Sequence, residues 1–228
     1  MTLEFCDSGG IAVSPAWRAV SDALIAGLCH ELNGRVSALG GIVHIGRLDG
    51  ELDESLIQML HAELASLEDL SRFLRMLPDD GAAGPEPVDL EERLPLVAAL
   101  FSRHNRLGHL PLRLAAQAGT RPVLVRWACF CKALLVLLEV VARRAAAGGG
   151  RVVLGCEPGE KGALVRLFIE PDELAEAEPF GGAEVLARGP APDAENAARA
   201  MLRAAGGELL EDGDGFGLSL PGLAARSA

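Results

Sequence analysis

The sequence predicts an α+β chain, with an N-terminal antiparallel helical hairpin followed by an α/β sandwich whose helices cover one sheet face. Three observations predict it. Two long stretches, residues 14–48 and 53–77, carry apolar residues every three or four positions and are separated by Asp49-Gly50. Residues 78–87 (PDDGAAGPEP) then interrupt the periodicity with a cluster of proline, glycine and aspartate. Beyond them, short apolar runs bounded by glycine alternate with helical patterns.

Each element has its own local reason. Ser14 caps and Pro15 opens the first helix. With Leu28 at zero and 100° per residue, Trp17, Leu24, Leu28, Leu32, Leu39, Ile42 and Val43 fall within roughly 60°, one apolar stripe. Asp53 caps a second helix carrying Leu56, Leu60, Leu64, Leu67, Leu70, Leu74 and Leu77, close to a coiled-coil seam. A two-helix hairpin cannot bury both faces alone, so a homodimer forming a four-helix bundle is expected. The chain divides into a tail (1–13), the hairpin (14–78), a linker (79–87) and the sandwich (88–224). In the sandwich a helix follows Asp89 to about Asn105, then a strand over 110–115 and a helix over 127–147, closed by three glycines. Strands at 151–156 and 163–170 flank a turn at 158–162. A last helix, 194–205, stops at Gly206-Gly207 and precedes strands at 208–211 and 216–220.

Composition narrows the function. Half of the 228 residues are apolar, yet no run of about 18 uncharged apolar residues occurs, so no membrane span is expected. The longest candidate, 133–142, is broken by Glu139. Glu4 and Asp7 argue against a secretory signal. The five cysteines are odd in number and scattered, and Cys129-Phe130-Cys131 has the wrong spacing for zinc, which suits reduced thiols in the cytoplasm. A net charge of −11 argues against nucleic acid as a partner.

One residue stands out chemically. His30, in Leu28-Cys29-His30-Glu31-Leu32, lies about 160° from the apolar stripe and faces solvent. An exposed imidazole is available as a nucleophile, and Glu31 stands where it could orient the ring or take its proton. His44 lies about 21 Å further along the helix, too far to share a metal.

These residues resemble those of bacterial sensor histidine kinases. His30-Glu31-Leu32 in a dimerising hairpin resembles their H-box, and Pro87-Val88-Asp89-Leu90 the start of their ATP-binding domain. Residues 133–144 resemble the N-box helix, and residues 204–221 the terminal helix and hairpin. The resemblance covers about residues 14–221 and implies a histidine-kinase-ATPase-like sandwich.

The nucleotide chemistry departs from that pattern. Where the kinases carry two N-box asparagines for Mg²⁺ and phosphate, this chain has Val136 and Val140, which offer no oxygen. Pro171-Asp172-Glu173-Leu174-Ala175 stands where a DxGxG stretch is expected, and the acidic 190–196 segment replaces the second glycine loop. A kinase-shaped dimer without an ATP site resembles the histidine phosphotransferases of phosphorelays, and Cys-His-Glu-Leu is closest to the wording of the ChpT type. That resemblance implies His30 as the residue passing phosphoryl between receiver-domain aspartates of response regulators, with Glu31 beside it. It implies no cofactor on this chain, with Mg²⁺ on the receiver only. Two other readings stay open: a non-catalytic dimeric adaptor docking receivers or a kinase, and a divergent kinase that uses ATP.

The same projection places Asn33, Gly34, Ser37, Gly41 and His44 within about 60° of His30. A helix-interior glycine costs about 1 kcal/mol against alanine, so Gly34 and Gly41 need a reason. Close approach of a receiver and close packing of the helices are the two candidates. Gly34 also replaces the Thr or Asn that kinases use for phosphatase activity, so little of that activity is expected. Arg35 stands where proline is usual; contact with phosphate or a receiver acid and an ordinary surface arginine are its two readings.

Overall fold

The computed structural model describes residues 14–49, 53–77, 84–116, 119–160, 162–171, 193–212 and 215–223. Cys6, the DxGxG-equivalent stretch from Asp172 onward and residues 190–192 lie outside them. Helix α1 (Pro15–Asp49) and helix α2 (Glu54–Met76) form the expected hairpin. Asp53 caps α2, its Oδ1 accepting from the Leu56 amide at 2.8 Å. The remaining order is β1 (Glu86–Val88), α3 (Leu90–Phe101), β2 (Leu112–Ala116), β3 (Val123–Val125), α4 (Trp127–Gly148), β4 (Gly150–Gly159), β5 (Gly162–Pro171), α5 (Ala194–Ala205), β6 (Glu208–Asp212) and β7 (Gly215–Pro221).

The main sheet has the order β2-β4-β5-β7-β6, with β2 parallel to β4 and the other pairs antiparallel. Its period of two sorts the faces. Val152, Leu154, Ala163, Val165, Leu167, Leu209, Phe216, Leu218 and Leu220 turn inward and join α3, α4 and α5 in the core. The other face carries ion pairs, Arg113 and Arg151 on Glu170 and Arg166 on Glu157. Helix α5 ends where Gly206 takes φ +95°, the left-handed cap that glycine adopts without strain.

Three expectations need correction. Glu86 and Pro87, assigned to the linker, belong to β1, which pairs antiparallel with β3. Both strands are three residues long, too short to give a period. The helix expected to reach Asn105 stops at Phe101, because His104 captures the chain. Its Nδ1 accepts from the amides of Arg106 (3.2 Å) and Leu107 (3.1 Å), turning the backbone where helical bonds would continue. The hairpin is also no separate body. Trp17, Val20, Leu24, Leu28, Leu70 and Phe73 belong to the same apolar cluster as the sandwich core, and Lys132 of α4 sits 5.7 Å over the Trp17 ring.

His104 is 3% exposed, and its Nε2 meets no hydrogen-bond partner among the described residues. Burial, then the charges of Arg143 and Arg106, push its pKa from 6.5 down to about 4. The unfolded chain takes up this proton near pH 6.5 and the folded chain only near 4. Stability is therefore full above 6.5 and is lost as the pH falls through that window, by about 3 kcal/mol at 1.36 kcal/mol per unit. His104→Gln, which does not titrate, is expected to flatten that slope in urea unfolding at pH 7 and 4. Equal slopes in both proteins would remove His104 as the cause.

Candidate functional site

An open groove of about 800 Å³ runs along α1, lined by Gly27, His30, Glu31, Gly34, Arg35, Ala38, Ser102, Arg103 and Asn105. One wall is α1. The other is the turn after α3, which the sequence placed far from His30. Its attachment to α1 is tight: the Asn105 amide donates to the Ala23 carbonyl at 3.2 Å, and a Cβ on Gly27 would stand 1.6 Å from the Arg103 carbonyl oxygen.

His30 is exposed, as its helical position predicts, and its side chain makes no hydrogen bond or ion pair with another described residue. Glu31 faces elsewhere. Its Oε2 lies 2.6 Å from Arg103 Nε, an ion pair whose N–H is not aligned as a hydrogen bond. Its Oε1 lies 3.5 Å from Arg35. Adjacent residues on a helix diverge by about 100°, which explains how His30 and Glu31 share the groove while addressing different neighbours. Arg103 also lies 5.5 Å over the Phe73 ring of α2.

Arg35 spans the hairpin, its Nη1 donating to Glu63 Oε1 and Oε2 at 3.3 and 3.2 Å. Glu63 first, then Glu31, raises its pKa above the ordinary arginine value. Arg103, Glu31, Arg35 and Glu63 thus form a chain of alternating charges from the sandwich, across α1, to α2.

Of the residues singled out by sequence, the groove gathers His30, Glu31, Gly34 and Arg35. Asn33, Ser37 and Gly41 are exposed on α1 outside its lining. Gly27, Ala38, Ser102, Arg103 and Asn105 were missed. Gly27 carried a signal, since a glycine inside a helix one turn before His30 needs a reason as much as Gly34 does. The two readings of the glycines now separate. Gly27 is in close packing, whereas a Cβ on Gly34 or Gly41 would meet no atom of the described residues within 4 Å. Gly34→Ala is accordingly expected to stabilise the fold by about 1 kcal/mol through helix propensity alone. Urea unfolding measures it, and a destabilised variant would contradict the open surroundings.

Val136 and Val140 are buried in the core of α4. Among the described residues no group of three or more His, Cys, Asp or Glu could hold a metal, and no helix is long and apolar enough to cross a membrane. Among the described residues, Cys29, Cys129, Cys131 and Cys156 form no disulfide.

No family model matches the sequence, and no curated protein matches it. Solved structures do. One titled a bacterial phosphotransferase is 14% identical with a TM-score of 0.42, over 93% of this chain and 100% of that one. The Acinetobacter baumannii histidine kinase AdeS is 19% identical with a TM-score of 0.41, over 84% and 97%. The histidine kinase ThkA, solved in complex with the response regulator protein TrrA, is 16% identical with a TM-score of 0.39, over 89% and 61%.

Proposed function

We propose that the chain is a phosphorelay histidine phosphotransferase, in which His30 takes phosphoryl from the aspartate of one receiver domain and passes it to another without ATP. The observation that carries this reading is the His30 imidazole itself, exposed, unengaged and at the edge of an open groove. In the transfer an N–P bond forms at the ring while the P–O bond to the donor aspartate breaks and the carboxylate leaves. The reverse sequence loads the acceptor. The receiver's Mg²⁺ supplies the electrostatic stabilisation, so the chain needs no metal of its own. Glu31, held by Arg103 and Arg35, takes no part in this transfer.

Two further features support the reading. Val136 and Val140 fill core space with apolar atoms where a nucleotide's Mg²⁺ would need oxygen ligands. Ile25, Leu32, Val36 and Val43 of α1, with Leu64 and Leu74 of α2, leave apolar side chains exposed, a surface suited to a second copy of the hairpin.

The test is transfer of label from ³²P-loaded receiver domains, followed by the chemistry of the bond formed. Label that is lost in acid and kept in alkali identifies a phosphoimidazole. Absence of label from every receiver of the same cell, in a folded dimer, moves the reading to an adaptor. Micromolar Mg²⁺-ATP binding would instead favour a kinase. In the same assay Gly34→Ala is expected to slow transfer despite its added stability, because the new methyl group stands where the receiver approaches.

A further inference from the structure

We infer that Arg103 is a positioning residue for transfer at His30, fixing the turn after α3 as the second wall against which a receiver docks. The inference rests on the phosphotransfer reading of His30. Three observations carry it. The guanidinium reaches from the sandwich to Glu31, the residue next to His30, with Nε 2.6 Å from Oε2. Its own backbone carbonyl closes on Gly27, and the amide two residues later donates to Ala23. Arg103, Ser102 and Asn105 then line the groove opposite His30.

The geometry gives the wall two fastenings, one at the backbone of Gly27 and Ala23 and one at the side chain of Glu31. Both act on α1 within a turn or two of His30, so the space that a receiver enters is set by the sandwich as much as by the hairpin. Arg103 need not touch the phosphoryl group. Its stack over Phe73 and its pair with Glu31 already define where the turn stands. A receiver docking on α1 alone would meet a convex helix. Docked in the groove, it meets two surfaces, and their spacing selects which receivers fit.

The experiment compares the 228-residue wild type, Arg103→Ala and Arg103→Lys, measuring KM and kcat for transfer from a phosphorylated receiver. In parallel, phosphoramidate, a small donor that releases ammonia as its phosphoryl group moves to the imidazole, reports the reactivity of His30 without docking. Arg103→Ala is expected to raise KM about tenfold with the change in KM rather than kcat, well below the ~10²-fold that a 1 Å misplacement can cost. Arg103→Lys should recover part of the loss by restoring the charge beside Glu31. An unchanged KM overturns the inference. So does a parallel fall in the phosphoramidate rate, which would mean that Arg103 acts on the ring itself. Wild type that accepts label from no receiver sinks the phosphotransfer reading, and this inference with it; wild-type transfer with an indifferent Arg103 sinks only the inference.

Discussion

His30→Ala is expected to abolish receiver-to-protein transfer, by about 10³-fold or more, the scale on which loss of a nucleophile is felt, while the protein folds as before. The second half of that statement makes the first interpretable. The imidazole is exposed and engages no other described residue, so its removal opens no cavity and orphans no donor. Alanine is also the better helix former, by up to about 0.7 kcal/mol. Urea unfolding should give an equal or slightly raised midpoint, and binding of an unphosphorylated receiver should survive. Loss of transfer with retained binding assigns the chemistry to His30. Transfer at the wild-type rate would end the proposal, and loss of both activities would put His30 in the docking surface instead. His30→Gln, closer in size and polarity, separates loss of the nucleophile from loss of bulk.

How much of this was legible in the sequence depends on the range of the interaction. The helices were, because each advertises itself locally: Ser14-Pro15 and Asp53 at their starts, a period near 3.6 along their length, Gly206 after the last. His30's exposure follows from the same period. The strands β1 and β3 were not, because three residues cannot display an alternation, and what makes them strands is each other. Nor was the fused core. Trp17 and Leu28 read as the inside of a hairpin, but which partner buries an apolar stripe is a tertiary fact. The groove fails for the same reason twice over. Arg103 lies 72 positions from Glu31, and no local pattern marks it as an arginine that turns back to α1. Arg35 is instructive in another way. The projection that exposed His30 places Arg35 about 20° from Leu28, on the apolar side. A charge there calls for a buried or cross-helix partner, which Glu63 provides.

Gly27→Ala should do the opposite of Gly34→Ala, although both substitutions add one methyl group to the same helix. In isolation each favours the helix by about 1 kcal/mol. At Gly34 nothing opposes the gain, but at Gly27 the new Cβ would lie 1.6 Å from a carbonyl oxygen and 3.2 Å from the Asn105 amide nitrogen. Both are backbone atoms, so no side chain can swing aside. Either α1 or the turn after α3 must move by more than an ångström, and overpacking of this kind costs about 1–3 kcal/mol or more. The Asn105–Ala23 hydrogen bond sits on the line of that movement and should break first. Amide exchange at Asn105 is therefore expected to accelerate by an order of magnitude or more in Gly27→Ala, the tenfold equivalent of about 1.4 kcal/mol, with a lower urea midpoint. An unaltered Asn105 amide would mean that the turn does not stand against α1 as described. With the turn displaced, Arg103 loses its purchase on Glu31, and transfer should fail in the manner of Arg103→Ala, through KM. Two substitutions on opposite walls, one removing a charge and one adding a methyl group, then converge on one phenotype, which neither a local charge effect nor a local helix effect would produce.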